Sequence, residues 1–466
     1  MIGKGMRERH ILLITSLASF LSPFMSNAIN LGIPSIGKEF TCNAADANWI
    51  VTGYILISAV AVLPSGRLGD ILGRKRIFTM GLAIFIIGSL LCANARSIQL
   101  LLVFRVIQGL GSAMSYSTAT AIVSSAFSPD KRGKALGIIT TATYAGFALG
   151  PFLGGSLTYN YGWRAIFYFA FLMGLVVLIL TWLQLKEEWA EARGERFDVA
   201  GTFLYIIGMV ALIYGLSSIT AYFWAKYVLV IGIGFLLLFG KLELSVNHPI
   251  LDIGFLAGNT NFLLANLAAL VYFISTSTIN YLLSLHLQIV AGCNSQMTGF
   301  ILLTQPLVMA LLSPLAGYLS DYCEARFLAT VGIASALGGL AIFSLLKPNT
   351  PIWLLLIALV IIGGGSAFFS SPNTNSVMGA IPRKYYGVAS STLGTMRNCG
   401  QALSIAVSST IFSLYLKNGS LSVNAIRLDK GIRGSFITFT LVCIFGVLVS
   451  FARGAKIVET DSWPSS

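Results

Sequence analysis

Hydrophobic residues in this chain come in long runs separated by short polar breaks, and each run has about the length that a helix needs to cross a bilayer. Runs over residues 10–31, 49–64, 77–95, 98–127, 135–157, 163–185, 199–219, 227–244, 262–290, 297–319, 328–346, 352–371, 386–416 and 434–451 predict fourteen membrane-spanning helices. An even number puts both termini on one side. With the N-terminus inside, the cytoplasmic segments hold 19 Lys and Arg and the external ones 9, four of them in 417–433. That asymmetry predicts a multi-pass protein of the cell membrane with both termini cytoplasmic.

The break at 66–76 is the densest in cations: Gly66, Arg67, Leu68, Gly69, Asp70, Ile71, Leu72, Gly73, Arg74, Lys75, Arg76. Residues 317–326 echo it, with Gly317, Leu319, Asp321 and Arg326 repeating the Gly-x-Leu-x-Asp frame and its terminal cation. The first copy follows helix 2 and the second follows helix 10, so a duplicated six-helix unit has taken up two extra helices between its copies. The predicted organisation is an N-terminal six-helix half (1–185), a linker with inserted helices 7 and 8 (186–260), and a C-terminal six-helix half (261–466). The charged stretch 186–196 is long enough for an interfacial helix. Helices 7 and 8 carry few polar residues, which predicts a lipid-facing pair outside any transport path.

Composition agrees with the pattern. Of 466 residues 56% are hydrophobic and 10% charged, with mean hydropathy +0.82, against the roughly one-quarter charged of soluble domains. The net charge of +13 sits in alternate loops as orientation signals do, and no soluble basic face exists to bind nucleic acid. The basic lead at 1–9 and the long run after it predict a first spanning helix, not a cleaved leader. Six scattered cysteines without a Cys-x-x-Cys pair predict small apolar residues, not a metal or redox centre. No Ser/His/Asp grouping, metal-ligand spacing or phosphate-cradling loop is present, so no enzyme activity, cofactor or metal is expected.

All 17 acids fall in predicted loops or at helix ends, which leaves no mid-membrane carboxylate for a proton or a cationic substrate. Two cations do fall inside spans: Arg105, followed by Gln108, in helix 4, and Arg397 in helix 13. Each costs at least about 2.5–3.5 kcal/mol in the membrane unless it meets a polar interior. Each therefore either ties helices together or gives a site positive potential. Uncharged polar residues at similar depth are candidates for a central cavity: Asn27, Asn30, Tyr54, Tyr144, Asn280, His286, Gln305 and Asn373. His286 is the one histidine predicted near the interior, where it would titrate near neutrality. Helix 5 carries Gly146, Gly150, Pro151, Gly154 and Gly155, small residues for close helix packing plus a proline to bend the backbone.

These residues resemble the major facilitator superfamily, in its fourteen-helix drug/proton antiporter branch. The 66–76 segment resembles the superfamily's signature cytoplasmic loop; Arg105-Val106-Ile107-Gln108-Gly109 resembles the Arg-x-x-Gln-Gly motif of proton-coupled members; and 146–155 resembles the antiporter motif Gly-x-x-x-Gly-Pro-x-x-Gly-Gly. Residues 49–54, 197–201 and 387–397 are similar to the same branch. The resemblance implies an all-α membrane protein with the major facilitator fold. It also implies a conformational latch between the halves, made of Gly66, Asp70, Gly73, Arg74 and Arg132, with Asp321 and Arg326 as its counterpart. One departure stands out: the branch's helix-1 aspartate is Met25 here. The reading carried forward is a monomeric secondary transporter in the lipid bilayer, exporting small amphipathic, neutral or anionic compounds, with protons as a candidate second substrate. Its alternatives are a conventional proton-coupled cationic multidrug antiporter and a non-transporting membrane sensor on the same fold.

Overall fold

In a hydrocarbon layer the backbone has only itself to hydrogen-bond to, and helices meet that demand within one segment. The computed structural model describes residues 2–40, 44–218, 223–246, 249–251, 254, 258–293, 295–416 and 425–453. Its long elements are α1 (Ile2–Phe40), α2 (Ala44–Leu72), α3 (Arg74–Ala93), α4 (Ile98–Ala126), α5 (Pro129–Tyr161), α6 (Arg164–Gln184), α7 (Val199–Ser218) and α8 (Ala225–Glu243), followed by α9 (Thr260–Val290), α10 (Ser295–Tyr322), α11 (Ala325–Ser344), α12 (Ile352–Gly379), α13 (Tyr386–Leu416) and α14 (Ala425–Phe451). Thirteen of these are long and apolar enough to cross a membrane by length and composition. The other, α13, has 31 residues, or about 46 Å at 1.5 Å per residue. Among the described residues no strand occurs.

Several boundaries differ from the hydropathy reading. The 66–76 segment is mostly helix: α2 runs through Gly66 and Asp70 to Leu72, and only Gly73 separates it from α3. Gly73 has φ 113°, a region that side chains other than glycine's rarely adopt, and a Cβ there would lie 2.4 Å from the Glu188 carboxylate. The 186–196 stretch is not an interfacial helix but an irregular strap. Glu188 caps α3 by accepting from the backbone N–H of Lys75 (2.9 Å) and Arg76 (3.2 Å). Finally α14 starts at Ala425, nine residues before the predicted run. This places Asp429 and Arg433 in the first turns of a helix where the hydropathy reading has a loop. Part of the predicted external loop, 417–424, lies outside the described residues.

Packing builds one apolar core from α1–α6, around Phe24, Phe78, Phe85 and Phe167, and another from α9–α14, around Tyr272, Phe343, Phe436 and Phe439. A third joins Tyr205, Met209 and Phe239 of α7 and α8 to Val60 of α2 and Val388 of α13. α8 is the least covered span, with 17% of its most apolar window buried, as a lipid-facing helix requires. The two cores meet at glycine crossings. A Cβ on Gly66 (α2) would lie 1.9 Å from Ser391 Oγ and 2.4 Å from the Gly387 carbonyl oxygen of α13. A Cβ on Gly317 (α10) would lie 2.4 Å from the Gly133 carbonyl oxygen of α5. Backbones this close leave no room for a methyl group. Gly66→Ala is therefore expected to wedge α2 off α13 at a cost of roughly 1–3 kcal/mol, read as a lower unfolding midpoint of the purified protein. Gly155→Ala, where the nearest atom is a Leu31 side-chain carbon at 3.9 Å, is expected to leave that midpoint unchanged.

Candidate functional site

The halves are joined at the face that carries the 66–76 segment. Asp70 is fully buried at the end of α2. It accepts from Arg74 Nε (2.9 Å) and Nη2 (2.7 Å), and across the interface from the backbone N–H groups of Gly387 (2.9 Å) and Val388 (3.1 Å). Those two groups are the free donors of the α13 N-terminus, where a carboxylate is favoured by the helix dipole. Arg74 continues across to the Arg383 carbonyl (2.6 Å) and bonds Ser125 of α4. The second half returns the arrangement. Asp321 at the end of α10 accepts from the backbone N–H of Gly133 (2.6 Å) and Lys134 (2.9 Å) in the first turns of α5. Beside it Arg132 donates to Asn375 Oδ1 and to the Tyr386 hydroxyl, each at 2.9 Å.

Of the latch candidates, Gly66, Asp70, Arg74, Arg132 and Asp321 thus make contacts between the halves, and Gly73 supplies the turn. Arg326 does not reach the first half: it bonds Glu324 (2.6 Å) and the Arg453 carbonyl (2.7 Å), tying the α10–α11 turn to the end of α14. The charge pattern did not single out Glu195. In the strap, its carboxylate bridges Arg67 of α2 and Lys384 of the α12–α13 loop, both at 2.5 Å. Burial pushes the Glu195 carboxyl up, but the Lys384 hydrogen bond and the Arg67 charge together hold it below its ordinary value. Lys384 is raised, chiefly by its bond to Glu195.

Away from these contacts lies a cavity of about 110 Å³ between the halves, walled by Tyr116 of α4, Thr143, Tyr144 and Phe147 of α5, Phe273 of α9, Phe369, Ser370 and Asn373 of α12, and Arg397 and Gln401 of α13. Arg397 is the only formal charge on its wall among the described residues. It donates to the Tyr116 hydroxyl (2.5 Å) and lies 4.5 Å from that ring's centre. Tyr144 bonds Ser370 across the interface (2.6 Å), and Asn373 Oδ1 is buried without a donor. At this volume the space holds a few waters, well below the roughly 300–1,000 Å³ of a small-molecule pocket.

Arg105 and Gln108 lie elsewhere, inside the first half. Arg105 is fully buried, donates to the Ile50 carbonyl (3.0 Å) and Gln108 Oε1 (2.6 Å), and sits 4.2 Å over the Tyr54 ring. Gln108 passes the chain on to Ser89 (2.8 Å). A desolvated cation–π contact is worth about 2 kcal/mol and each charged hydrogen bond about 1.5–3 kcal/mol, enough to offset the cost of burying the cation. The pair is thus a tie between α2, α3 and α4, although Arg105 Nη2 keeps no partner. Tyr54 bonds Ser112 (2.8 Å) in the same half. Gly146, Gly150 and Gly154 form the stripe on which α1 packs, since a Cβ at each would lie 2.5–3.0 Å from Phe20, Asn27 or Ala28. Pro151 is exposed on the other side of the helix, and Gly155 has space.

Of the polar candidates, only Tyr144 and Asn373 wall the cavity. Asn27 is half-buried against Gly150, Asn30 is exposed and bonds its own helix at Ser26, Asn280 is exposed, and Gln305 is buried with Oε1 lacking a donor. His286 lies against Asp429 of α14 at 3.3 Å. That acid was legible only through periodicity: Leu428, Ile432, Phe436, Phe439 and Cys443, all fully buried, repeat at helical spacing from well before the apolar run begins. Among the described residues no group of His, Cys, Asp and Glu could hold a metal ion.

Comparison with known proteins gives a consistent picture. The sequence model described as Major Facilitator Superfamily matches residues 15–263 and 265–462. The riboflavin transporter RibZ of Clostridioides difficile is 30% identical over 94% of this chain and 96% of its own length. The multidrug resistance protein Stp of Mycobacterium tuberculosis is 32% identical over 87% of this chain and 76% of its own. Among solved structures, the human organic anion transporter MFSD10 superposes with a TM-score of 0.66 over 95% of this chain and 99% of its own, at 16% identity, a likeness of fold alone.

Two outcomes follow for the sealed face. Asp70→Ala leaves the buried Arg74 without its hydrogen-bonded carboxylate, with only Glu191 4.0 Å away, and the α13 N-terminus uncapped. It is expected to weaken closure by about 3–5 kcal/mol, read as a longer distance between spin labels at the exposed positions Leu72 and Phe327. The Glu195 bridge behaves differently with pH. Its contribution through the lowered carboxyl is present above the ordinary carboxylate range and is lost only as pH falls through the lowered value. Its contribution through the raised Lys384 is present below the ordinary lysine range and is lost only as pH rises through the raised value. The same label distance is therefore expected to stay constant between roughly pH 6 and pH 9 and to lengthen in Glu195→Gln.

Proposed function

The chain belongs to the Major Facilitator Superfamily, and from that premise we propose that it exports small amphipathic, neutral or anionic compounds across the cell membrane by alternating access. The observation that carries this reading is the cavity wall: one guanidinium, that of Arg397, several aromatic rings, and no carboxylate among the described residues. Such a wall attracts electron-rich planar molecules and anions and offers an organic cation no counter-charge. In this reading the halves 1–185 and 261–466 move as two bodies, and α7 and α8, within 186–260, ride outside the path.

The conformation fits a transporter closed at one face. Asp70 and Asp321 hold that face shut, and the cavity is smaller than any drug-sized cargo, so cargo enters only when the halves part. By the positive-inside distribution the sealed face is the cytoplasmic one, with both termini there and the protein working as a monomer. The relative named a riboflavin transporter makes riboflavin, planar and uncharged, the first compound to try. The relative named a multidrug resistance protein supports efflux, and with it the second reading of a conventional antiporter for cationic drugs.

Flux in proteoliposomes separates the two. Riboflavin or an organic anion dye is expected to move while ethidium does not, and Arg397→Gln is expected to raise the half-saturating concentration about tenfold or more, the effect of losing one charged hydrogen bond of about 1.5–3 kcal/mol. Movement of ethidium alone overturns the proposed substrate class. Absence of flux for every compound, with specific binding retained, supports a sensor.

A further inference from the structure

Where α14 ends, on the face that holds Asp70 and Asp321, one cation is left without a counter-charge. Arg326, in the first turn of α11, donates to the Arg453 carbonyl (2.7 Å), and Thr330, one turn further on, bonds Ser450 (2.8 Å). These bonds lay the end of α14 along the start of α11 and fix the backbone of Arg453. The Arg453 side chain is 2% exposed, yet Nε, Nη1 and Nη2 are all buried without an acceptor. Among the described residues no other side chain leaves three buried nitrogens unpaired.

A guanidinium does not escape such a position by losing its proton. Burial pushes Arg453 down to about 10, which still leaves it a cation at neutral pH. Water accepts from the N–H groups but brings no charge to balance theirs. The acids of the adjoining turn are committed elsewhere: Glu324 accepts from Arg326 (2.6 Å), and Asp321 accepts from the backbone of α5. The partner that satisfies both the donors and the charge is an anion that the described residues do not supply.

The surroundings point to its source. Phe327, next to Arg326, is 64% exposed, and Phe451, two residues before Arg453, is 75% exposed. Exposed aromatic rings at the ends of two spanning helices mark the boundary between acyl chains and headgroups. Arg453 stands just past that boundary, and its long stem lets the head turn into the headgroup layer. There a planar guanidinium donates two parallel N–H bonds to one phosphate.

We propose that Arg453 binds the phosphate of a net-anionic phospholipid headgroup, and that this lipid clips the end of α14 to the start of α11. The site goes beyond the transport reading and does not depend on it. Arg326 positions the Arg453 backbone, but its own charge is met by Glu324, so Arg453 carries the contact with the lipid. Because α11 follows the turn that carries Asp321, the clip braces the element that meets α5 across the interface.

Native mass spectrometry of the purified protein tests the site with phosphatidylglycerol and phosphatidylcholine supplied at equal concentration. The wild type is expected to retain phosphatidylglycerol in preference, and Arg453→Gln is expected to cut that retention about tenfold, as loss of a charged hydrogen bond does. Arg453→Lys keeps the charge without the paired donors and is expected to fall between. Arg193→Gln removes an exposed cation elsewhere on the same face and is expected to change nothing. Equal losses in Arg193→Gln and Arg453→Gln, or no preference in the wild type, overturn the proposal. If Arg453→Gln does not fold, Arg453→Lys takes its place, and an unchanged preference in that folded variant overturns the site. Inorganic phosphate separates the two sources of the anion. A rise in the unfolding midpoint of the wild type, but not of the Arg453 variant, with phosphate and not with phosphatidylglycerol overturns the lipid assignment in favour of a soluble anion. The chain's own acids Glu459 and Asp461 lie outside the described residues, and a lipid preference that emerges only in Glu459→Gln with Asp461→Asn overturns the proposal as well.

Discussion

Each half offers a carboxylate to the N-terminus of a helix in the other, and the contact between the halves at this face is built around that exchange. Asp70 meets the first free N–H groups of α13, and Asp321 meets those of α5. A helix terminus has unsatisfied donors whether or not the halves touch, so parting them exposes both the donors and a buried carboxylate. Water can satisfy each, so such a contact is strong while dry and replaceable when wet. The glycine crossings beside each acid bring the backbones close enough for the contact to form.

The two intramembrane arginines show how similar signals in sequence part company in space. Arg105 and Arg397 each lie within a long helix and each has a polar residue nearby. Yet Arg105 is closed in by Tyr54, Ile50 and Gln108 of its own half, and Arg397 opens on the space between the halves and bonds Tyr116. Depth is legible from helix position. The direction a side chain faces depends on which helices surround it, and that is a property of tertiary arrangement.

Other parts of the fold were legible because membranes impose strong rules. The succession of helices and the two related halves follow from hydropathy and a repeated frame. What hydropathy misses is polar residues inside helices. The 66–76 segment was read as a loop for its charge although α2 continues through most of it. The first turns of α14 were read as loop because Arg427, Asp429, Lys430 and Arg433 outweigh the buried Leu428 and Ile432 in any average. The cavity candidates on α1 and the outer part of α9, Asn27, Asn30 and Asn280, were amphipathic-surface residues that composition could not tell from lining.

The irregular strap has a geometric consequence for how far the halves can travel. Its backbone is laid onto the first half: the Trp189 carbonyl accepts from the Arg74 N–H (2.9 Å), and the Ala192 N–H donates to the Asp70 carbonyl (3.0 Å). Between there and α7 at Val199 lies 193–198, about 20 Å at full stretch, and Glu195 within it is tied to Arg67 of the first half and Lys384 of the second. The strap is therefore bound to the first half over most of its length, and the chain left between that half and α7 is less than half of what the sequence between helices implies. A leash that short keeps α7 beside the first half, where Tyr205 packs with Val60 of α2 and bonds Thr395 of α13 (3.1 Å).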